Sequence, residues 1–589
     1  MFTQQVDLCR RIIREHFGPI VEKVVTALIG DGRLPLGAVI RKTGLSPQNT
    51  RQALAVLIQH SIVTHAESKE GLHIVTFYSV NLKTILRLKR VGLYMGLVDE
   101  RIGKEGLTIF RTIMANGMMS IASIRSALGI RKNTKANVAA SFDVAVNRMV
   151  KERFITAATP KDTVTKIDRR MQEEAKLIGE LALPPTSKQL MEIRRKLADQ
   201  EDEAYYSSAI VGIKRAAVDS DSTGRSSKMR VHDGPDGLPV AQGLGIYSNG
   251  QSEPEAQLDA VDEKVCFRPY YDRLDVLLRN HQIANYFIDK YNAGAGIVVK
   301  SILRITEPQT RTCRDKTSNP VSVFQIIGNI PAEAQLADSV DTGSDMFYKR
   351  LQPEDDPMSP GASAEAQRKK RSDAIFALLD VLQSDSSGIV AKVEEQAGGQ
   401  YRINFERAAA VLRDRALDSL IQEKFGAMHA RIVRVLRDKQ KLDEKTVSQA
   451  TMLPIAMCRE RLHDLALSGL IDTFDIPRTA DRNPSRMFYL WFVNPEKQVR
   501  SAMSYIFQGM SNLYQRIDHE MAIRSALVTK TKRKDVIADP SLLTDYERKE
   551  LKSLLAIKQK LEAALIRLDG MLLITHDINP HSSDLQLLQ

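Results

Sequence analysis

Residues 401–445 read YRINFERAAAVLRDRALDSLIQEKFGAMHARIVRVLRDKQKLDEK, and residues 446–493 continue TVSQATMLPIAMCRERLHDLALSGLIDTFDIPRTADRNPSRMFYLWFV. Ile432, Val433, Val435 and Leu436 mark one apolar stripe of a helix. Asp443 is placed to cap a short second helix over Val447 and Ala450. Pro454 opens a third helix, because proline is tolerated in a first turn. That helix buries Cys458, Leu462, Leu465 and Leu467 and stops at Gly469. Two strands, Leu470–Phe474 and Met487–Val493, flank a loop rich in Pro, Asp and Arg. Three helices followed by a β-hairpin predict a winged helix, a helix-turn-helix with a β wing.

The start of this unit recurs along the chain. KFGAMHARIVRVL (424–436) has counterparts in HFGPIVEKVVTAL (16–28), RIGKEGLTIFRTI (101–113) and KYNAGAGIVVKSI (290–302). Each ends on a segment with paired apolar residues: Val24–Val25, Ile109–Phe110, Val298–Val299 and Ile432–Val433. Three copies share a lead-in: YSVNLKTILRLKR (78–90), PYYDRLDVLLRNH (269–281) and YRINFERAAAVLRDR (401–415). Repetition at this scale decides architecture. The expected fold is mainly α with small β wings, four tandem winged helices followed by a C-terminal helical hairpin, or coiled coil.

The predicted layout has a winged helix over 1–80 and a second, with a helical extension, over 81–217. A flexible linker follows at 218–264, then a third winged helix with insertions over 265–405. A fourth covers 406–494, and a helical hairpin and tail cover 495–589. The linker is rich in Gly, Ser, Pro and Asp with few core residues. The stretch 331–363 has a similar character and is expected to be disordered. In the hairpin, Leu551, Leu554, Leu555, Leu561, Leu565 and Leu568 form an apolar seam, and Thr544 with Glu547 makes a capping box. Leu554, Leu561 and Leu565 are the residues on which a partner-docking role of this arm depends; the alternative is that the arm packs back on the last winged helix.

Composition narrows the function. The chain has 589 residues, 43% of them hydrophobic, and a formal net charge of +12. A basic balance favours a polyanionic partner, although many basic proteins never meet nucleic acid. The four cysteines, Cys9, Cys266, Cys313 and Cys458, are far apart. They offer neither metal-ligand spacing nor a disulfide framework, which suits a reducing compartment. No stretch approaches the roughly 20 apolar residues of a membrane span, and the N-terminus lacks the apolar core of a secretion signal. No acidic cluster suits a Mg²⁺ site for nucleotidyl transfer, and no motif surrounds a nucleophile. No catalytic residue, metal or cofactor is therefore expected.

Binding residues are easier to name. In the first unit SPQNTRQALAVLIQ (46–59) is the recognition-type helix, with Ser46 as its cap. Arg41, Lys42, Gln48, Asn49 and Arg51 stay outside this unit's core, where such folds meet DNA or, equally, a protein. In the last wing Arg478, Arg482 and Arg486 lie within nine residues of one another. Arginine's planar fork suits phosphate, while an exposed polar turn with Arg486 paired to Asp481 is the plain alternative. The basic loop RKNTK (131–135) either touches phosphate or is merely exposed. RKKR (368–371) reads as a nuclear import signal or as the polar start of a helix.

The chain resembles the winged-helix subunit of the initiation heterotrimer of eukaryotic RNA polymerase III, a family related to the α chain of TFIIE. TQQVDLCRRIIREHFGPIVEKVVTAL (3–28), NFERAAAVLRDRALDSLIQEKFG (404–426), ARIVRVL (430–436) and IPRTADRNPSRMFYLWFV (476–493) carry the resemblance. It covers nearly the whole length but not 218–262 or 331–363. It implies a non-catalytic, nuclear polymerase subunit that docks beside the clamp of the largest subunit, with its heterotrimer partners. It further implies contact with the TFIIB-related initiation factor and weak, sequence-tolerant contact with melting promoter DNA. Two other classes compete: a free winged-helix factor that binds double-stranded DNA, and a scaffold protein of a large assembly. The few base-reading donors in PIAMCRERLHDLALSG (454–469) disfavour the first, and the repeats disfavour the second.

Overall fold

The computed structural model describes residues 3–70, 73–130, 136–179, 186–208, 213–214, 260–261, 263, 265–331, 360–394, 399–477, 487–539 and 542–578. The fold is mainly helical with small antiparallel sheets. It divides into two compact units. One holds the described residues up to Tyr94, Thr163–Thr165 and those from Tyr271 on; the other holds the described residues of Met95–Asp162 and Lys166–Tyr270.

One run of elements occurs four times: a helix, a short strand or bridge, two further helices, and two strands. In the first, helices Pro19–Asp31, Leu36–Thr43 and Pro47–Gln59 precede strands Val63–Glu70 and His73–Val80. The last strand sits in the middle of the sheet, between its hairpin partner and the short strand Leu34–Pro35. That order recurs, and each time the short segment meets an aromatic residue of the central strand. The pairs are Leu34 with Tyr78, Met119 with Phe267, Val321 with Tyr401, and Leu442 with Trp491. Each of these four aromatics is therefore a sheet residue.

The turn before each wing is also shared. Its residue is left-handed in every case: Ser61 (φ 56°), Arg153 (φ 61°), Gly388 (φ 59°) and Gly469 (φ 71°). The next residue, Ile62, Phe154, Ile389 or Leu470, is buried. In three copies its N–H donates back into the helix, from Ile62 to Leu57, Phe154 to Met149 and Leu470 to Leu465. This is a Schellman-type stop that turns the chain into the core. Only two of the four positions are glycine, so glycine alone marks half of these stops in the sequence. At Gly469 space matters too: a Cβ would lie 2.7 Å from Oγ of Ser501.

Each wing runs into a further helix. Asn81, Asn404 and Asn494 cap helices Leu82–Arg87, Phe405–Phe425 and Pro495–Ile523 by accepting from backbone N–H groups one turn on. The lead-ins at 78–90 and 401–415 are therefore wing strand, cap and helix in one piece.

One expected boundary moves. The sequence places the start of the third unit at Val265, but strand Cys266–Pro269 pairs with Ile155–Ala157 and with Met119–Ser120. It completes the second sheet, and the next unit opens at helix Tyr271–Lys290. A four-residue strand far along the chain from its partners carries no local signal of where it belongs. Strands Ile213–Lys214 and Ala260–Val261 also pair, holding the two ends of the intervening stretch side by side. RKNTK, 218–259 and 332–359 lie outside the described residues. RKKR falls within helix Pro360–Gln383, where Arg371 donates to the carbonyls of Ile330 and Pro331.

The helices at the C-terminus pack mainly on the beginning of the chain. Leu8, Ile12 and Ile13 of helix Thr3–Phe17 share one core with Val499, Met503, Ile506, Phe507, Met510 and Leu565. Arg11 pairs with Asp518 at 2.8 Å, and the Ser511 hydroxyl donates to Asp7 at 2.8 Å. Contacts with the last wing are lighter: Ser501 and Tyr505 donate to the carbonyls of Gly469 and Ser468. Helix Asp545–Leu572 opens with the expected capping box, and Lys530 together with that cap holds the Glu547 carboxyl down at about 2. Leu554 and Leu565 are buried within the chain, Leu561 is half-buried and Leu555 is exposed. The seam is therefore narrower than the leucine pattern, and Leu555 lies outside it.

Beneath these contacts lies a buried ion cluster. Arg90 donates to both oxygens of Asp569 (2.8 and 3.3 Å) and to Asp577 (2.6 Å). Arg87 reaches Asp275 (2.6 Å) and Asp272 (2.7 Å), and the Tyr94 hydroxyl donates to Asp275 (2.7 Å). Burial alone pushes the Asp577 carboxyl up, but Arg90 and Lys83 outweigh it and hold Asp577 well below the usual carboxylate range. Removing one partner strands the others without water. Arg90→Met is expected to cost roughly 3–5 kcal/mol, read as a fall in denaturation midpoint. Adding Asp569→Leu and Asp577→Leu should restore much of the loss, because an apolar set of similar volume strands no charge.

Candidate nucleic-acid interface

The first unit presents a helix-turn-helix with one polar face. Helix Leu36–Thr43 ends at Gly44, which is left-handed (φ 64°, ψ 17°) and lets the chain reverse at once. Ser46 then caps helix Pro47–Gln59 by accepting the Asn49 N–H at 3.2 Å. Thr50, Ala53, Leu54 and Leu57 turn inward. Helical spacing therefore puts Gln48, Asn49, Arg51 and Gln52 outward, and all four are exposed.

Charge sharpens this face. From Gly32 to Ala66 the chain has no Asp or Glu, yet it carries Arg33, Arg41, Lys42 and Arg51. Arg41 and Lys42 lie in the last helical turn before Gly44, exposed to solvent. Lys42 pairs with Asp31 on the preceding helix, which ties up part of its charge. Arg41 and Arg51 are the stronger candidates of the three. Burial lowers the pKa values of His16 and His60, so neither adds positive charge near neutral pH. The wing beside this face is a regular hairpin, with Thr64 and Ser79 hydroxyls 2.9 Å apart across the strands.

The remaining sequence candidates lie elsewhere. Arg478, Arg482 and Arg486 lie outside the described residues. Their loop springs from strands Asp472–Pro477 and Met487–Phe492, whose last pair is Pro477 opposite Met487, so its ends are adjacent. Leu554, Leu561 and Leu565 lie on the closing helix, and Leu554 and Leu565 are buried within the chain's own packing. Sequence reading missed the ion cluster, whose members look like ordinary surface charges in the chain. Among the described residues no group of three or more His, Cys, Asp and Glu is placed to hold a metal, and no helix is long and apolar enough to cross a membrane.

These features define a winged-helix protein. Three family models match it: RNA polymerase III subunit RPC82 helix-turn-helix domain over 7–68, RNA polymerase III subunit RPC82 over 145–412, and POLR3C, C-terminal winged-helix domain, over 417–493. The chain belongs to this family of winged-helix RNA polymerase III subunits. Among its relatives is the DNA-directed RNA polymerase III subunit RPC3 of Homo sapiens, 24% identical over 584 residues, or 97% of each chain. The RPC3 of Danio rerio is 24% identical over 94% of this chain and 91% of its own length. The RPC-3 of Coccidioides immitis is 24% identical over 98% of this chain and all of its own.

A nucleic-acid role for the polar face has a measurable consequence. Arg41→Ala combined with Arg51→Ala should leave thermal stability unchanged, because neither side chain is in the core. The same variant should reduce the salt slope of DNA binding by about one per lost phosphate contact. Lys42→Ala alone should change it less. Titrations at several salt concentrations decide between these outcomes.

Proposed function

We propose that this chain is a non-catalytic, nuclear subunit of RNA polymerase III that acts in transcription initiation. In this reading it comprises four tandem winged helices and a C-terminal hairpin. It docks beside the clamp of the largest subunit, within the heterotrimer, contacts the TFIIB-related initiation factor and steadies promoter DNA as it melts. The carrying observation is the helix-turn-helix of the first unit, 35 residues without an acidic side chain and with four cations, on a chain of net charge +12. Such a surface attracts a polyanion, and much of its binding is independent of sequence. Weak, salt-sensitive DNA binding with little sequence preference is the expected behaviour of the isolated chain.

The loop of the last wing is the second contact in this reading. Arg478, Arg482 and Arg486 lie between paired strands, and Pro477 and Pro484 limit the freedom lost on binding. Bidentate arginine contacts to phosphate would hold a strand as the duplex opens.

The test is open-complex yield with polymerase carrying Arg478→Ala, Arg482→Ala and Arg486→Ala together. On closed promoter templates the yield should fall, while on pre-melted templates it should stay close to wild type. Equal yields on both templates remove the loop from the mechanism and leave Arg41 and Arg51 as the DNA contacts.

A further inference from the structure

Domains strung along one chain move against each other unless a large apolar interface holds them. The fourth unit has a core of its own, around Val433, Val447, Cys458 and Leu465, apart from the core that the first unit shares with the closing helices. Two continuous helices cross from one core to the other. Helix Phe405–Phe425 buries Leu417 in the first core and Ile421, one turn on, in the fourth. Helix Pro495–Ile523 starts directly after the fourth unit's wing and buries Val499 and Ala502 in the first core. The crossings, LDSLI (417–421) and EKQVRSA (496–502), contain neither glycine nor proline. Such helices have no ready point at which to kink.

The two helices are also joined to each other and to the turn before the wing. Lys424 lies 3.0 Å from the centre of the Tyr505 ring, and Phe425 meets that ring edge-on at 6.5 Å. The Tyr505 hydroxyl donates to the Ser468 carbonyl at 3.2 Å, and the Ser501 hydroxyl donates to that of Gly469 at 3.0 Å. Lys497 pairs with Asp472 in the first strand of the wing. Asp418 accepts from Arg434 at 2.8 Å, which ties helix Phe405–Phe425 to the fourth unit's own first helix, Ala427–Lys439.

The third unit is tied to the same body twice. Its core takes Phe405 and Leu412 from helix Phe405–Phe425. Its opening helix carries Asp275, which Arg87 and Tyr94 hold from the segment after the first wing.

We infer that the first, third and fourth winged helices form one rigid frame, in which helices Phe405–Phe425 and Pro495–Ile523 are paired supports that hold the fourth unit at a fixed distance from the other two. All three belong to one compact unit. A partner held at one surface therefore meets the others already placed, and the second contact costs no further orientation. The frame is a property of the chain itself; its use in assembly rests on the reading of the chain as a polymerase subunit.

The test measures distances between spin labels by pulsed electron paramagnetic resonance on the full-length chain. The exposed Cys266 is changed to Ser, and labels are placed in pairs at Lys23→Cys, Arg304→Cys and Glu460→Cys, exposed positions of the first, third and fourth units. In the otherwise wild-type chain all three pairs should give one narrow distance distribution. Ser419→Gly with Arg500→Gly softens both supports at exposed positions without touching a core. It should broaden the 23–460 and 304–460 distributions at least twofold and leave 23–304 narrow, which separates a loosened support from general unfolding. Ser501→Ala with Tyr505→Phe, which removes the two hydrogen bonds to the turn, should broaden the same two pairs less. A broad or split distribution without these changes overturns the inference, and so do distributions in the glycine variant as narrow as before. Rebinding to RNA polymerase III purified from cells depleted of this chain is the second readout, and the glycine variant should rebind several-fold more weakly than wild type. If wild type does not rebind, the subunit reading fails while the distances still decide the frame. Equal rebinding of wild type and a broadened glycine variant overturns the frame's use in assembly.

Discussion

The buried contact between Arg90 and the carboxylates of Asp569 and Asp577 is the constraint on which the larger compact unit depends. It joins a turn after the first wing to the end of the closing helix, nearly five hundred residues apart in the chain. Through Arg87, Tyr94 and Asp275 it extends to the helix that opens the third repeat. Charges removed from water stay ionised only when every partner is present. The cluster therefore couples three segments that could otherwise separate. It supplies registry more than net stability, since ion pairs repay their desolvation poorly.

Around this anchor the repeats are conserved in geometry and variable in chemistry. The left-handed stop before each wing, the buried residue after it and the aromatic in the central strand are common to all four copies. The residue after each stop faces inward and is fixed by packing. Outward positions are released from that demand. Asn49 and Met457 occupy the same place on the same kind of helix, one a hydrogen-bonding amide and the other an exposed thioether. The residues that fix the fold and those that vary in chemistry are thus different residues of one helix.

Much of this was legible in the chain. Apolar spacing places the helices, Ser46, Asp443 and Thr544 cap where they should, and two of the three lead-ins prove to be strand, cap and helix. The polar face of the first helix-turn-helix was readable because helical period, cap and charge all act locally. The identity of the left-handed stops was readable only where glycine occupies them; Ser61 and Arg153 adopt the same backbone because the packing of the next residue demands it.

What the sequence by itself determined is therefore the set of local elements and the faces they present, because these depend on neighbours within a turn or a strand. Tertiary structure alone decided that Cys266–Pro269 closes the second sheet and that the closing helices pack on Leu8, Ile12 and Ile13. It alone decided that Arg90 is buried and Met452 exposed. In the chain the first is one basic residue among 84 and the second one methionine among 19. Burial and partnership are set by segments hundreds of residues away, and no local pattern encodes which of those segments will arrive.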